Sequence, residues 1–248
     1  MAPADTPPPR DIVYSSKHAA QLHDYPIPDI DSDPVFTAIF ALSREYTMTG
    51  KDAMFALYSA VNYVVAAKIG GDIVECGVWR GGSALLAALT LREAGEERVI
   101  HLYDTFEGMT APTAADVDMH GGEAASYIAE FGDDGKWCYA GEDEVRSVLA
   151  AQGFVGPQIK IVKGDVLETL PSHLPQSIAI LRLDTDWYES TKLELELLYP
   201  RLRPGGVLII DDYGYWAGSR KAVDEYFLNE RKPLLMRVNE QVRLAIKV

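Results

Sequence analysis

The most constraining feature of the sequence is a pair of short apolar, partly β-branched runs, each followed by two acidic residues. The first run ends in Asp184 and Asp186, and the second ends in Asp211 and Asp212. This composition is typical of a buried parallel strand, and open α/β sheets bind their ligands at the carboxyl ends of such strands. If the two strands are neighbours, we expect the four carboxylates to meet at one edge of a sheet.

Four carboxylates at one edge repel one another unless a positive group lies among them. A hard divalent cation with oxygen ligands, such as Mg²⁺, is the counter-charge that we expect. Single Asp residues at strand ends and in turns are common and need no further explanation. Two such clusters on adjacent strands favour a functional site over that simpler interpretation.

Composition limits the classes of protein to consider. The chain has 248 residues, of which 48% are hydrophobic and 24% are charged, so we expect one large α/β domain. The net charge of −14 and the lack of a basic stripe argue against nucleic-acid binding. Cys76 and Cys138 lie in no paired-ligand spacing, which indicates a reduced, cytoplasmic protein. No apolar run approaches the roughly 18 residues of a membrane span.

The beginning of the chain differs from the rest in composition. Residues 1–33 are rich in proline and polar residues, so we expect a flexible, irregular N-terminal segment. Residues 34–248 are then the folded domain. It is predicted to begin with helices at Pro34–Glu45 and Lys51–Ile69.

A glycine-containing loop follows the first predicted strand, Asp72–Gly77, and precedes a helix at Ala84–Ala94. A strand, a glycine loop and a helix in this order are typical of nucleotide-cofactor sites. Gly77 and Gly81 let the backbone approach a ligand closely, and Ser83 lies where the helix dipole favours a negative group. The spacing Glu75-x-Gly77-x-x-x-Gly81 differs from the dinucleotide pattern, and on its own it also fits a tight turn.

Two further acids follow predicted strands. Asp104 ends the strand Arg98–Asp104, where an acid can accept hydrogen bonds from the hydroxyls of a ribose. Asp165 follows the strand Gln158–Lys163, and it is placed either to contact an adenine amine or to cap the helix Val166–Leu170.

The segment 105–143, which we call the lid, is longer than an ordinary strand-to-helix connection. It contains several glycines and the large side chains Met119, His120, Tyr127, Phe131 and Trp137. This composition predicts a mobile lid over an active site, and a flexible insertion without function is the alternative.

The remaining pattern predicts helices at Glu144–Gln152, Trp187–Leu202 and Ala217–Asn229. Two final strands, Lys232–Val238 and Gln241–Val248, are joined at Asn239-Glu240, with the last as an antiparallel edge. Helices, then about five β-α units and a β-β ending are the layout of a class I S-adenosylmethionine-dependent methyltransferase. We therefore expect an α/β, Rossmann-like fold with a seven-stranded, mostly parallel sheet, an antiparallel last strand and helices on both faces.

Three long segments of the sequence carry a resemblance to a known family. The segments "DIVECGVWRGGSA", "LYDTFEGM" and "LRLDTDWYESTKLELELLYPRLRPGGVLIIDDYGYWAGSRKAVDEYF" resemble the macrocin O-methyltransferase (TylF-like) family. The resemblance covers about Tyr46 to Phe227. It implies transfer of a methyl group from S-adenosylmethionine to a deoxysugar hydroxyl of a glycosylated antibiotic, with Mg²⁺, by a dimer or larger assembly.

The resemblance also implies roles for individual residues. Asp184, Asp211 and Asp212 match the metal ligands, and Asp186 matches the general base. Those that match the cofactor site are Met48, Thr49, Glu75, Gly77, Gly81, Ser83, Asp104 and Asp165. The lid departs from the family, because Thr110-Ala111 stand before Pro112 where family members often have proline directly.

Several alternatives remain open at this stage. Asp184 and Asp186 could exchange roles, and His101 and His120 are rival bases, although histidines in such places are more often structural. The acceptor could instead be an aromatic vicinal diol, as in a catechol-type O-methyltransferase that shares the fold, cofactor and metal. A non-catalytic scaffold is a third interpretation, against which the four carboxylates argue.

Overall fold

The computed structural model describes residues 25–131 and 136–248. In this part of the chain, seven strands form one sheet in the order β3-β2-β1-β4-β5-β7-β6. The strands are β1 Asp72–Cys76, β2 Ile100–Asp104, β3 Ile159–Lys163, β4 Ile178–Leu183, β5 Leu202–Ile210, β6 Met236–Arg237 and β7 Arg243–Ile246. Strands β1 to β5 pair in parallel, whereas β7 is antiparallel to both β5 and β6. This arrangement confirms the predicted fold class.

Helices cover both faces of the sheet. Their bounds are α1 Pro28–Asp31, α2 Pro34–Ser43, α3 Lys51–Ala66, α4 Gly82–Glu93, α5 Ala124–Phe131, α6 Glu142–Ala151, α7 Val166–Thr169, α8 Tyr188–Leu198 and α9 Ala217–Asn229. Helices α2, α3, α4 and α6 pack on one face, and α7, α8 and α9 pack on the other. Successive strand residues point to opposite faces, so Ile73 joins the first layer and Val74 joins the second.

Several boundaries differ from the prediction. Helix α8 ends at Leu198 and continues as a 3₁₀ turn, Tyr199–Arg201, because Pro200 has no amide to donate. Strand β5 begins at Leu202, which pairs with Ile178, rather than after the turn that precedes Val207.

The β-β ending is also arranged differently in one respect. The last strand, β7, lies between β5 and β6. It is therefore an inner strand, and the short β6 forms the edge, contrary to the prediction.

The two segments predicted to be irregular contain structure. Residues 1–24 lie outside the described residues, but residues 25–33 include the short helix α1. The lid contains helix α5. An aromatic cluster joins the lid to the loops after β4 and β5, and its members are Ala124, Tyr127, Trp137, Trp187, Tyr215 and Trp216. Packing of aromatic side chains against two loops therefore gives the lid a defined conformation.

The strand order reverses between β1 and β4. The chain adds β2 and β3 on one side of β1, and it then returns to add β4 and β5 on the other side. Such a switch point opens a crevice at the carboxyl ends of the strands. The glycine loop follows β1. The loop that carries Asp184 and Asp186, which we call the first acidic loop, follows β4, and the second acidic loop, with Asp211 and Asp212, follows β5. Gly77 has a positive φ of 82°, and a Cβ there would overlap the carbonyl of Asp184, so only glycine allows the two loops to come so close.

Helix α8 carries a buried acid beneath the first acidic loop. Glu194 has 0% exposure, and its Oε1 accepts a hydrogen bond of 2.9 Å from the Thr185 hydroxyl. Its Oε2 is buried and has no hydrogen-bond partner in the part of the chain that the structure describes. Burial raises the pKa of Glu194 from 4.5 to about 8, so the native protein holds a proton here at neutral pH.

Replacing Glu194 with Gln is expected to change the pH dependence of stability. Because the native pKa lies above that of the unfolded chain, the wild type loses stability as pH rises from about 4.5 towards 8, by at most about 1.4 kcal/mol per pH unit. Gln has no proton to lose, so Glu194→Gln should match the wild type near pH 5 and exceed it near pH 8. Urea unfolding across this range measures the difference. The exposed Glu196→Gln on the same helix is the control, and equal pH slopes for wild type and Glu194→Gln would contradict the assignment.

Candidate active site

A cavity of about 330 Å³ opens at the carboxyl ends of β1, β4 and β5. Its wall is built from the segment before α3, the glycine loop, both acidic loops, the lid and the β6–β7 turn. The lining residues from the predicted site are Met48, Thr49, Ser83, Asp184, Asp186, Asp211 and Asp212. The fold therefore brings both acidic clusters and part of the predicted cofactor site to one cavity.

Three of the four predicted carboxylates can reach one metal ion. Asp184, Asp186 and Asp212 each offer an oxygen, and these oxygens lie within 4.8 Å of one another. Among the described residues, the buried Oδ2 of Asp212 has no hydrogen-bond partner. Several carboxylate oxygens in this arrangement are suitable ligands for a hard divalent cation, so the donor set fits Mg²⁺.

Asp211 has a different partner, the guanidinium of Arg182. Arg182 has 3% exposure in the middle of the sheet. Its Nη2 donates hydrogen bonds of 2.8 Å to Asp211 Oδ1 and to Thr49 Oγ1. Its Nη1 donates at 2.8 Å to Glu75 Oε1 and at 2.6 Å to Asp184 Oδ2. One guanidinium thus holds three acids and the segment before α3.

This network changes the electrostatic argument made from the sequence. A positive group already lies among the carboxylates, so the acids do not depend on a metal ion alone. Five carboxyl groups nevertheless surround a single guanidinium, since Asp186 and Asp212 join the three acids bonded to Arg182. The negative charge that remains favours a further cation.

Burial shifts the titration of the acids in the same direction. Burial, followed by the charges of Asp184 and Asp211, raises the pKa of Asp186 to about 8. Burial also raises the pKa of Asp184 and of Asp212 well above the ordinary range. Burial raises the pKa of Glu75 to about 7, although the charge of Arg182 opposes this rise. Each raised pKa means that the ionised carboxylate is destabilised in the site, so binding a proton or a cation stabilises it.

Asp186 sits in a strained turn. Its φ is 66°, and the Trp187 amide donates a hydrogen bond of 2.7 Å to the Thr185 carbonyl across it. A non-glycine residue in this γ-turn costs about 1–3 kcal/mol, and such residues cluster at functional sites. The turn aims Asp186 into the cavity beside Asp184.

The predicted cofactor residues are divided between two cavities that share Asp184. Met48, Thr49 and Ser83 line the large cavity, while a second cavity of about 60 Å³ is lined by Gly77, Asp104 and Asp165. Glu75 lies beneath both cavities on Arg182, and Gly81 precedes α4 in a left-handed conformation.

Asp104 and Asp165 also hold local structure. Oδ2 of Asp104 accepts hydrogen bonds from the amides of Val78 and Trp79 at 2.6 and 3.1 Å. Oδ1 of Asp165 accepts from the Leu167 amide at 2.9 Å and caps α7, which is one of the two roles expected for it. Their roles towards a cofactor stay predictions.

The two rival histidines lie away from the acids. His101 is near the start of β2, and its Nε2 lies 2.9 Å from Oδ2 of Asp72, the first residue of β1. Both residues are therefore at the amino ends of their strands, whereas the cavity is at the carboxyl ends. His120 is exposed in the lid, and its amide donates to Asp118. Neither residue lines the cavity, so the geometry favours a carboxylate as the base.

The sequence interpretation missed Arg182 although the residue stands within the motif. An arginine inside a strand that is buried on both faces requires acidic partners. Alternation supplied a signal, because Glu75, Arg182 and Asp211 each follow an isoleucine of the same face by two residues. Of the aromatic residues that line the cavity, Trp137 belongs to the predicted lid, whereas Tyr25, Trp79, Tyr215 and Trp216 were missed.

Comparison with known proteins identifies the family. A sequence profile described as Macrocin-O-methyltransferase (TylF) matches residues 15–237. The chain belongs to this family. It is therefore an O-methyltransferase with the fold of the class I S-adenosylmethionine-dependent enzymes.

Individual relatives agree with this assignment. The chain is 37% identical over 197 residues to the 8-demethyl-8-(2,3-dimethoxy-alpha-L-rhamnosyl)-tetracenomycin-C 4'-O-methyltransferase of Streptomyces olivaceus, covering 79% of this chain and 73% of that protein. It is 32% identical over 184 residues to the mycinamicin III 3''-O-methyltransferase of Micromonospora griseorubida, covering 73% and 70% of the two chains. The solved O-methyltransferase NovP superposes with a TM-score of 0.71 at 29% identity over 82% of each chain.

Among the described residues, none of the helices combines the length and the apolar character that crossing a bilayer requires.

Replacing Arg182 with Met is expected to destabilise the fold strongly. Removing the guanidinium leaves Glu75, Asp184 and Asp211 buried without their counter-charge, and breaking a buried ion pair in this way costs about 3–5 kcal/mol. Urea unfolding gives the change in unfolding free energy. Arg146→Met, which removes an exposed pair with Glu142, is the control and should cost no more than about 1 kcal/mol. Equal losses in the two variants would refute the central role of Arg182.

Proposed function

We propose that the enzyme transfers a methyl group from S-adenosylmethionine to a sugar hydroxyl of a glycosylated natural product, with Mg²⁺ as a second cofactor. The observation that carries the proposal is the convergence of Asp184, Asp186 and Asp212 in a cavity that also borders the glycine loop. A metal-compatible acidic cluster beside a cofactor loop is suited to activating a hydroxyl group next to a methyl donor.

The proposed acceptor class is supported by the cavity wall and by one relative. Aromatic side chains offer flat apolar surfaces against which the apolar face of a sugar ring can pack, and Trp79, Trp137, Tyr215 and Trp216 line the cavity. The name of the Streptomyces olivaceus relative places a rhamnosyl group in its substrate. The same aromatic wall also suits an aromatic vicinal diol, which makes a catechol-type acceptor the second candidate.

Asp186 is the proposed general base. It projects from its turn into the cavity, where burial raises its pKa, and a carboxylate with a raised pKa is a stronger base. Asp184, Asp211 and Asp212 are the proposed metal ligands. Mg²⁺, when bound, would lower the pKa of the acceptor hydroxyl and fix its orientation. Arg182 stays positively charged, and it keeps Asp184 and Asp211 in place by donating a hydrogen bond to each carboxylate.

The ligand set leaves one point that experiment can decide. Asp211 directs Oδ1 to Arg182, whereas Asp186 belongs to the group whose oxygens lie closest together. Asp211 and Asp186 therefore compete for the place beside Asp184 and Asp212. We keep the assignment that the family resemblance implies, with Asp211 on the metal and Asp186 as the base, and loss of Mg²⁺ binding in Asp186→Asn would reverse it.

The proposed cofactor site consists of the residues that the family resemblance implies. Glu75, Gly77, Gly81, Ser83 and the N-terminus of α4 would hold the methionine end, where the helix dipole favours the carboxylate. Asp104 would accept the ribose hydroxyls and Asp165 would contact the adenine, while Met48 and Thr49 close the cavity from the N-terminal side. S-adenosylmethionine, when bound, supplies an activated methyl group, so the protein mainly aligns the reacting atoms. Assembly into dimers or larger oligomers also belongs to the proposal.

Asp186→Asn is the variant that tests the base. It preserves shape but cannot accept a proton, so methyl transfer should fall by about 10²–10⁴-fold, while S-adenosylhomocysteine and Mg²⁺ still bind. Mass spectrometry of the product and calorimetry of the two ligands measure these effects. Asp184→Asn is the matched comparison and should lose the Mg²⁺ signal. Full activity of Asp186→Asn would refute the base, and loss of its Mg²⁺ binding would assign it to the metal instead.

A panel of acceptors tests the substrate class. Rhamnosides and other deoxysugar glycosides with free neighbouring hydroxyls should gain one methyl group each, whereas catechols of similar size should react at least about tenfold more slowly because a planar ring cannot present its hydroxyls in the same geometry. Product masses after a fixed time give the comparison. Preference for catechols would replace the sugar with the aromatic diol while leaving the proposed metal site intact.

A further inference from the structure

The lid contributes a buried carboxylate, Asp116, that has no role in the mechanism above. Asp116 has 1% exposure. Its Oδ2 accepts hydrogen bonds from the amide and the hydroxyl of Thr113, at 2.7 and 2.8 Å. Its Oδ1 accepts a hydrogen bond of 2.8 Å from the amide of Tyr188. One oxygen of Asp116 is thus bonded within the lid, and the other is bonded to the first residue of α8, outside the lid.

Tyr188 is the first residue of α8 and follows the acidic turn directly. Helix α8 has no capping bond from its own N-cap side chain, because Trp187 occupies that position. Asp116 supplies the missing acceptor from the lid, where a negative charge is also favoured by the helix dipole. The side chain of Trp187 makes a second connection, since its Nε1 donates to the lid carbonyl of Thr110 at 3.1 Å.

The same lid residues contact the helix that follows the second acidic cluster. Gly218 lies in the first turn of α9, and a Cβ there would overlap Asp116 Oδ1. The amide of Ala217 donates a hydrogen bond of 2.9 Å to the carbonyl of Val117. Asp116 and Val117 therefore lie between the beginnings of α8 and α9, the two helices that follow the acidic clusters.

The turn between β4 and α8 needs such support. Asp186 adopts a positive φ that non-glycine residues avoid, and a strained residue persists only when its surroundings hold it in place. Strand β4 holds one side of this turn, and the contacts of Asp116 and Thr110 with Tyr188 and Trp187 hold the other.

We propose that Asp116 is a positioning residue, which fixes the turn carrying Asp184 and Asp186 when the lid packs over the site. The lid then does more than cover the acceptor, because its docking completes the geometry of the acids. The catalytic consequence of this inference rests on the proposed function, whereas its structural consequence does not.

Hydrogen exchange tests the structural consequence without cofactor or acceptor. Asp116→Ala should speed exchange at the amides of Trp187 and Tyr188 by about fivefold to tenfold, the factor that corresponds to the loss of one helix cap. Asp118→Asn is the matched control. Asp118 is also a buried lid carboxylate. Within residues 25–131 and 136–248, the hydrogen bonds that this carboxylate accepts come from the lid residues His120, Gly122 and Tyr127. It should leave exchange at Tyr188 unchanged.

Binding and kinetics test the catalytic consequence in the same variants. Asp116→Ala should retain its affinity for S-adenosylhomocysteine and its KM for S-adenosylmethionine, while Mg²⁺ affinity and kcat fall by about 10–100-fold, as for other residues that orient metal ligands. Asp118→Asn should change neither beyond about threefold. If Asp116→Ala does not fold, Thr113→Val removes one bond to the same carboxylate and should show smaller changes in the same direction.

Each result has a definite meaning. Unchanged exchange at Tyr188, or equal effects of Asp116→Ala and Asp118→Asn on Mg²⁺ affinity and kcat, would overturn the positioning role. A wild type that methylates no sugar would instead defeat the proposed function, and the exchange result would still decide whether Asp116 holds the turn.

Discussion

The structure depends on one buried guanidinium. Arg182 lies in the central strand β4, where it bonds to Glu75 on β1, to Asp211 after β5 and to Asp184 at the end of its own strand. Without it, three acids would be buried side by side with no counter-charge, and breaking buried ion pairs in this way costs about 3–5 kcal/mol. The same group bonds to Thr49 and so attaches the N-terminal wall of the cavity to the floor. Stability and site geometry therefore have a common origin.

Around this network, the glycine loop and the loop that carries Asp184 and Asp186 follow β1 and β4, the two strands at the switch point of the sheet. The close approach of Gly77 to Asp184 joins the cofactor loop to the acidic turn, and the aromatic cluster joins the lid to both acidic loops. The strained turn at Asp186 and the raised pKa of that residue are consequences of this crowding. An active site that is held from several sides can keep a carboxylate in a conformation and a titration state that an isolated turn would not maintain.

The sequence predicted the layers of the fold and the position of the acids well, because these follow from local signals. Buried strands are visible as apolar runs, and parallel neighbours bring their carboxyl ends together, so Asp184, Asp186, Asp211 and Asp212 were expected to meet. The role of Arg182 was not predicted, since its partners come from other strands and depend on register. Asp116 was missed for a similar reason, as its contact with Tyr188 spans 72 residues. The early start of β5 at Leu202 depends on its pairing with Ile178, which no local pattern reveals.

The most direct test of the account is a calorimetric titration of S-adenosylhomocysteine into the wild-type enzyme, with and without Mg²⁺. We expect saturable binding of the cofactor product at one site per chain and a further heat of binding when Mg²⁺ is added to the complex. Binding of S-adenosylhomocysteine without any Mg²⁺ signal would contradict the metal site formed by the acids. Absence of any binding would contradict the assignment of the cavity as a methyl-donor site.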